Sequence, residues 1–153
     1  MVTNSIEKEI RIEAPIEIVW ETVTDPDHIS RWFSDKAEMD LHPGGQASIT
    51  WNDHGVTETL RIETVEPPRL FSFRWLNPAG ETPDKSNSTL VEFRLSAVDG
   101  ATILRVVESG FNELGWSEKT ASSTVDGHIA GWGVHTDALI RYFASDRQLS
   151  VRL

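Results

Sequence analysis

Hydrophobic and polar residues follow two different periods in the first 33 residues. The segment IEKEIRIE, residues 6–13, alternates between apolar and charged positions, which predicts a half-buried β-strand. Over residues 16–23 and again over residues 25–33, apolar residues instead recur every three or four positions, which predicts two short helices. Pro15 and Pro26 stand near the predicted starts of these helices, where proline fits the first turn.

The middle of the chain returns to a period of two and carries frequent turn signals. HPGG, NDHG, EPP and AVDG separate the alternating segments, so these segments predict strands joined by hairpin-like turns. The stretch Asn77 to Ser88, NPAGETPDKSNS, has strand patterns on both sides and predicts a long hairpin loop rather than a domain boundary. The six alternating segments cover residues 37–41, 47–51, 56–62, 71–75, 91–95 and 102–106.

The C-terminal part predicts one long helix that begins somewhere in Lys119–Thr124. Its predicted buried stripe consists of Val125, Ile129, Trp132, Leu139 and Phe143. Strands and helices do not alternate along the chain, so a parallel α/β sheet is disfavoured. We therefore expect a single α+β domain over residues 1–153: a curved antiparallel sheet of about seven strands, with the long helix across its concave face and space between the two.

Composition excludes several classes of function. The 153 residues carry a formal net charge of −10, which repels nucleic-acid phosphates and anionic membrane surfaces. The chain has no cysteine, so disulfides, thiolate chemistry and cysteine-based zinc sites are excluded. No apolar run approaches the roughly 18–20 residues of a membrane span, and no signal-peptide core is present. These features predict a cytoplasmic protein without membrane insertion.

Three glycines interrupt the predicted C-terminal helix, where together they should cost roughly 2–3 kcal/mol relative to alanine. Gly127 and Gly131 are four residues apart and share a face, whereas Gly133 points elsewhere. One explanation is close packing of the helix against its neighbours. The other is that the missing side chains leave a cavity beneath the helix, and we prefer it for the Gly127–Gly131 face.

Four ionisable residues are candidates for inward-facing polar groups. Glu58 and Glu108 share the parity of buried strand positions, so each must be paired, solvated or protonated, unless Glu58 lies on an exposed edge strand or a bulge turns Glu108 outward. His128 and His135 are seven residues apart on the predicted helix, about 10.5 Å along its axis, so one metal ion cannot bind both. Without HExxH or another tight cluster of ligands, no metal site is expected. Each histidine either forms a hydrogen bond to a ligand or to a cavity glutamate, or is an ordinary, partly exposed helical residue.

Six tryptophans are many for this length, and most should belong to the core. A cavity lined by aromatic rings and a few polar groups suits an apolar or amphipathic small molecule, the alternative being a solid aromatic core. The residues predicted to bind such a ligand are Trp32, Phe33, Trp51, Glu58, Phe73, Trp75, Glu108, His128, Trp132 and His135. The sequence contains no GxSxG, GxGxxG or GxxxxGK[ST] motif, so neither a serine nucleophile nor nucleotide binding is supported.

An ordered set of segments resembles a known family. These segments are IEKEIRIEAPIEIVWETVTDPDHISRWF, a GG pair before a strand, EPPRLFSFRW, TLVEFRL, TILRVVESGF and a final helix that contains GW. From about Ile6 to Phe143 they are similar to stand-alone bacterial proteins related to the C-terminal domain of the Hsp90 ATPase activator Aha1, in the START-like or Bet v 1-like superfamily. The positions that match the family pattern are Trp32, Phe33, Glu108 to Phe111, Gly131 and Trp132.

The resemblance implies a helix-grip fold, in which a seven-stranded antiparallel sheet wraps round the C-terminal helix and encloses a cavity. It implies no catalytic residues and no cofactor, since superfamily members range from carriers of lipids, sterols or polyketides to enzymes. Three functions remain open. They are binding of a hydrophobic or amphipathic small molecule, acid–base catalysis in the same cavity by Glu58, Glu108, His128 or His135, and a co-chaperone-like interaction with an Hsp90-type chaperone. A homodimer is also a possible assembly, although no motif specifies one.

Overall fold

The computed structural model describes residues 5–52, 55–76, 88–111 and 117–145. Within these residues the chain forms seven strands and three helices. The strands are β1 (Ser5–Ile12), β2 (Lys36–Met39), β3 (Gln46–Trp51), β4 (Val56–Glu66), β5 (Leu70–Leu76), β6 (Ser88–Val98) and β7 (Ala101–Ser109). The helices are α1 (Ile16–Thr24), α2 (Pro26–Trp32) and α3 (Glu118–Ser145).

The strands form one antiparallel sheet in the order β1-β7-β6-β5-β4-β3-β2. Strands β2 to β7 follow one another as neighbours, and the chain places β1 beside β7. The helices α1 and α2 lie in the connection from β1 to β2, and α3 follows the last strand. The predicted α+β class and the helix-grip arrangement, a curved sheet around a long C-terminal helix, are confirmed.

Local chemistry explains two of the predicted boundaries. Helix α2 begins at Pro26 because the Asp25 side chain caps it, with the Asp27 backbone N–H donating to Asp25 Oδ1 over 2.9 Å. The tight turn between β6 and β7 uses Asp99 and Gly100, both with positive φ, which matches the twist of the two strands.

The interior between α1, α2 and the middle of the sheet is solid. Aromatic side chains dominate it, and the void that they line is about 10 Å³. That volume is close to the space of a single water molecule. This part of the interior therefore has no room for a ligand.

Some sequence predictions differ from the structure. Ile129 is 51% exposed and does not belong to the buried stripe of α3, because the neighbouring His128 takes the inward position. Helix α3 begins at Glu118, one residue before the predicted range, and Leu41 lies beyond the end of β2. Residues 77–87 of the predicted loop, residues 53 and 54 of the NDHG turn, and Trp116 lie outside the described residues.

Across the described part of the chain, no helix combines the length and the apolar character that crossing a membrane requires.

Candidate functional site

A cavity of about 390 Å³ lies between α3 and the strands β3, β4 and β5. The sheet contributes Trp51, Glu58 and Trp75, one residue from each of these strands. The lining residues on α3 are Gly127, His128, Gly131, Trp132, Val134 and His135. Since the lining residue Val134 is 63% exposed, the cavity reaches the surface. Its volume is in the range of small-molecule sites, roughly 300–1,000 Å³.

The glycines of α3 are not required for close packing. A Cβ atom placed on Gly127, Gly131 or Gly133 would meet no heavy atom within 4 Å, so the close-packing explanation is wrong for all three. Gly127 and Gly131 line the cavity, whereas Gly133 does not. The missing side chains on the Gly127–Gly131 face therefore contribute directly to the open volume.

The tryptophans of the cavity wall are held in place by ring contacts and by their indole N–H groups. The rings of Trp51 and Trp75 stack with centroids 6.2 Å apart, and Phe33 packs against both from the core side, at 5.4 and 5.8 Å. Trp51 Nε1 donates to the Phe33 carbonyl oxygen over 2.9 Å, and Trp75 Nε1 donates to Glu58 Oε2. A satisfied indole is rigid, so these rings form a preformed apolar surface.

Glu108 is a fully buried carboxylate on β7 that accepts three hydrogen bonds. Its donors are Thr89 Oγ1 on β6 at 2.6 Å, His128 Nδ1 at 2.8 Å and Trp132 Nε1 at 2.9 Å, the last two on α3. A buried carboxylate is costly unless it is paired and hydrogen-bonded, and here both conditions are met. Glu108 does not line the cavity; it lies behind His128 and Trp132 and fixes both side chains.

His128 connects this buried carboxylate to the cavity. Burial alone would lower the pKa of His128, but the hydrogen bond and charge of Glu108, together with the charge of Glu58, outweigh it and raise the pKa. Nδ1 faces Glu108, and the second ring nitrogen, Nε2, makes no hydrogen bond to any described residue. A histidine that is paired with a carboxylate and also lines a cavity is suited to proton exchange with a ligand.

His135 occupies a different environment at the other end of the helical wall. Burial lowers the pKa of His135 to about 4, so the imidazole is neutral at pH 7. Its ring packs against Phe33 at 4.4 Å, Trp132 at 5.9 Å and Trp51 at 6.1 Å. Neither ring nitrogen forms a hydrogen bond within the described part of the chain.

The structure brings together six of the ten residues predicted to bind a ligand. Those that line the cavity are Trp51, Glu58, Trp75, His128, Trp132 and His135. Phe33 and Glu108 lie directly behind this wall, whereas Trp32 and Phe73 are in the solid core, where Trp32 Nε1 donates to the Thr22 carbonyl oxygen.

Sequence reasoning missed two features of the site. Thr89 was not singled out, because its position opposite Trp75 and near Glu108 depends on strand register. Val134 lies at the rim and carries no pattern signal.

The edge-strand alternative for Glu58 is wrong, since β4 lies inside the sheet between β3 and β5.

One group of potential metal ligands lies away from the cavity, although the sequence analysis found no tight cluster. Donor atoms of Glu21, Asp25 and His28 lie within 4.8 Å of one another where α1 meets α2, and their i, i+4, i+7 spacing is a signal that was available. Contacts within the fold explain their proximity. Asp25 caps α2, and His28 Nδ1 lies 2.6 Å from the hydroxyl oxygen of Tyr142.

Comparison with known proteins gives one family match. Residues 13–144 match the family model described as "Activator of Hsp90 ATPase homolog 1-like protein". None of the curated proteins compared with the chain is a match.

Several solved structures have the same fold, and three of them are described here. DynU16, described as a putative protein in the dynemicin biosynthetic locus, is 26% identical with a TM-score of 0.76; the match covers 94% of this chain and 48% of that one. The chain thus spans about half the length of DynU16. CalU16 from Micromonospora echinospora is 28% identical with a TM-score of 0.66, over 95% and 80% of the two chains. The Aha1 dimer from Colwellia psychrerythraea is 19% identical with a TM-score of 0.74, over 97% and 98%, and at that identity shows the fold alone.

Proposed function

Since the chain belongs to the family of Activator of Hsp90 ATPase homolog 1-like proteins, we propose that it uses the cavity of this fold to bind a hydrophobic or amphipathic small molecule. The observation that carries the proposal is the cavity itself, about 390 Å³, with three tryptophans and two glycines in its walls. A folded protein normally fills such apolar space, because each unfilled volume loses dispersion contacts and hydrophobic stabilisation.

The distribution of polar groups supports a ligand rather than water alone. Among the residues that the structure describes, the ionisable groups of the cavity are Glu58, His128 and His135, and the other lining residues are tryptophan, valine and glycine. An apolar enclosure with a few polar groups is typical of sites for drug-sized molecules. One structural neighbour, DynU16, is described as part of a biosynthetic locus, a setting in which a small-molecule binding protein would be used.

Two kinds of experiment test the proposal: measurements of ligand binding, and a substitution that fills the cavity. Native mass spectrometry of freshly purified protein detects a retained ligand, and quenching of tryptophan fluorescence measures affinity for a library of fused aromatic and lipid-like compounds. The variant Gly131→Leu places a side chain in the cavity, whereas Gly133→Leu places the same side chain on the same helix outside it. We expect the first variant to lose binding at least tenfold and the second to keep it.

Two results would contradict ligand binding. One is the absence of saturable quenching with every compound, and the other is equal loss of affinity in Gly131→Leu and Gly133→Leu. Circular dichroism and unfolding curves of both variants separate a lost site from a lost fold.

Acid–base catalysis in the same cavity is a second candidate, favoured by the placement of Glu58 and His128 in one lining. A catalyst of this kind would exchange protons at an acidic C–H group of its bound ligand. Deuterium incorporation from D₂O, followed by mass spectrometry of the recovered ligand, tests this role. The role requires faster exchange than in buffer and loss of the acceleration in Glu58→Gln at unchanged affinity.

Two partner proteins are proposed on the comparisons rather than on the cavity. The family match supports an Hsp90-type chaperone, which is tested by the ATPase rate of the host's own chaperone with and without the chain. The dimer described for the Colwellia psychrerythraea protein supports a homodimer, which sedimentation velocity tests. If neither interaction depends on the cavity, Gly131→Leu should behave like the wild type in both measurements.

A further inference from the structure

Resting on the proposed function, we propose that the cavity selects amphipathic molecules that carry a positively charged amine, in preference to neutral or anionic molecules with the same apolar part. The amine would lie beside the Glu58 carboxylate, and the apolar part would contact the tryptophans of the wall. The charges at the cavity, the hydrogen bonds already made by its tryptophans and the arrangement of their rings all favour a cation.

The charged groups at the cavity favour a positive ligand. Among the described residues of the lining there is no lysine or arginine, and Glu58 supplies a carboxylate from β4. His135 adds no positive charge at pH 7, because burial lowers its pKa to about 4. The whole chain carries a net charge of −10, which attracts cations and repels anions.

His128 can become positively charged, but carboxylates of the fold offset that charge. Its Nδ1 lies 2.8 Å from Oε1 of Glu108, which is fully buried behind the wall. Burial lowers the pKa of His128, but the hydrogen bond and charge of Glu108 and the charge of Glu58 outweigh it and raise the pKa. The effect of Glu58 on His128 means that its charge reaches from β4 to the α3 wall. Two carboxylates therefore act on one histidine, and these three groups together stay negative even when His128 is protonated.

The tryptophans offer ring surface to a ligand rather than hydrogen-bond donors. An indole has one N–H donor and no acceptor, and all three N–H groups of the lining are used within the fold. Their acceptors are the Phe33 carbonyl oxygen for Trp51, Glu58 for Trp75 and Glu108 for Trp132. A carboxylate or phosphate group of a ligand therefore finds no indole donor here, whereas the negatively polarised faces of such rings attract a cation.

The rings of the wall lie in more than one plane. Trp51 and Trp75 are inclined by 22° with centroids 6.2 Å apart, whereas Trp75 and Trp132 are inclined by 78° with centroids 5.8 Å apart. Several aromatic rings at different inclinations beside a carboxylate are typical of sites for organic cations. Gly127 and Gly131 add no side chain to the same cavity, so its volume of about 390 Å³ has room for the apolar part of the ligand.

The test uses the full chain and three probes that share a naphthalen-2-ylmethyl group: 2-naphthylmethylamine, 2-naphthylmethanol and 2-naphthylacetate. At pH 7.5 these probes are a cation, a neutral molecule and an anion. Isothermal titration calorimetry measures their dissociation constants. We expect the amine to bind about tenfold more tightly than the alcohol, the gain typical of one charge-assisted or cation–π contact, and the acetate to bind most weakly.

A pair of charge-matched variants locates the selecting charge. Glu58→Gln keeps the size of the side chain and an oxygen acceptor for Trp75 but removes the charge. In this variant the about tenfold advantage of the amine should be lost, while the alcohol keeps its affinity. The control is Glu66→Gln, which removes the same charge from an exposed residue of β4 outside the cavity lining and should keep the advantage.

A second measurement needs no variant. NMR titration of the His128 ring gives its pKa in protein saturated with the amine and in protein saturated with the alcohol. A cation inside the cavity disfavours the protonated imidazole that lines it, so the pKa of His128 should be lower with the amine. Equal values would place the positive charge outside the cavity and overturn the inference, and this holds even if Glu58→Gln does not fold.

The outcomes separate this inference from the proposed function. Equal affinity for amine and alcohol, or an unchanged advantage of the amine in Glu58→Gln, would overturn the selection of a cation and leave a ligand-binding cavity in place. Equal loss in Glu58→Gln and Glu66→Gln would assign the advantage to the net charge of the chain and overturn it as well. If no probe binds while another compound class does, the inference fails and the proposed function stands; if nothing binds, both fail.

Discussion

His128 and His135 lie on one helix and are both largely buried, yet their pKa values shift in opposite directions. The difference comes from their neighbours. His128 contacts the carboxylate of Glu108 and feels the charge of Glu58, so its charged form is stabilised despite burial. His135 packs against the aromatic rings of Phe33, Trp51 and Trp132, and burial disfavours its charge. The wall of one cavity thus offers a protonatable group and a neutral one.

The first prediction concerns the His128–Glu108 pair and the pH dependence of stability. Because the folded-state pKa of His128 is raised above its unfolded value, the folded state binds the extra proton. The resulting stability is fully present below about pH 6.5, the unfolded pKa, and is lost as pH rises through the folded-state pKa. The variant Glu108→Gln keeps the shape but removes the charge, so the part of the fall in unfolding free energy that comes from the His128–Glu108 pair should disappear.

Urea denaturation at closely spaced pH values measures this effect as the difference between wild type and Glu108→Gln. The pKa of His42 is also raised, by the Pro43 carbonyl and by Asp40, but His42 is present in both proteins and its contribution cancels. NMR titration of the His128 ring should show a lower pKa in the variant. If the plots of unfolding free energy against pH are parallel for wild type and Glu108→Gln, the His128–Glu108 pair does not cause this pH dependence.

The second prediction concerns His135 and acid. Burial lowers its folded-state pKa to about 4, so between roughly pH 6.5 and 4 the unfolded state binds a proton that the folded state does not. The stability of the folded state should fall as pH decreases through this window, by up to about 3 kcal/mol. In His135→Phe this part of the acid loss is absent, so the free energy of unfolding of the variant should rise relative to that of the wild type as pH falls toward 4. If the difference in free energy of unfolding between wild type and His135→Phe does not change with pH, the lowered pKa of His135 does not contribute to the acid loss.

At the scale of elements, α3 combines a buried stripe with a wall that lacks side chains. Val125, Trp132, Leu139 and Phe143 anchor the helix on the sheet, while Gly127 and Gly131 leave the cavity open. The glycines thus weaken a helix whose docking is secured elsewhere along its length. Because the rest of the helix is docked on the sheet, α3 tolerates the low helix propensity of its glycines, which would strongly destabilise an isolated peptide.

The third prediction follows from the open space at these glycines. Alanine at position 127, 131 or 133 adds a methyl group that meets nothing within 4 Å and restricts the unfolded chain. Each substitution should raise the free energy of unfolding by about 0.5–1 kcal/mol. Chemical denaturation of the three single variants measures this. A loss of stability at any position would mean that the helix packs more closely there than the structure shows.

The sequence was sufficient for most of the fold because the patterns of strand and helix are local. The alternation before HPGG and after EPP, and the i, i+3, i+4 spacing of Ile29, Trp32 and Phe33, depend only on neighbouring residues. Register between strands is not local. The hydrogen bond from Thr89 to Glu108 and the burial of Trp32 and Phe73 away from the cavity follow from how distant segments pair and pack. Parity alone predicted that Glu58 and Glu108 face inward, but not which of them reaches the cavity.

At the scale of the whole molecule, a ligand in the cavity would join α3 to strands β3, β4 and β5. The last prediction is that such a ligand stabilises the complete fold, since it binds only where helix and sheet meet. At a free concentration of about 100 times its dissociation constant, a compound found to bind by tryptophan quenching should raise the free energy of unfolding by about 2.7 kcal/mol. Calorimetric melting in a ligand series measures this gain, which should be absent in Gly131→Leu and intact in Gly133→Leu. Equal gains in both variants would place the bound molecule elsewhere on the protein and remove the cavity from its function.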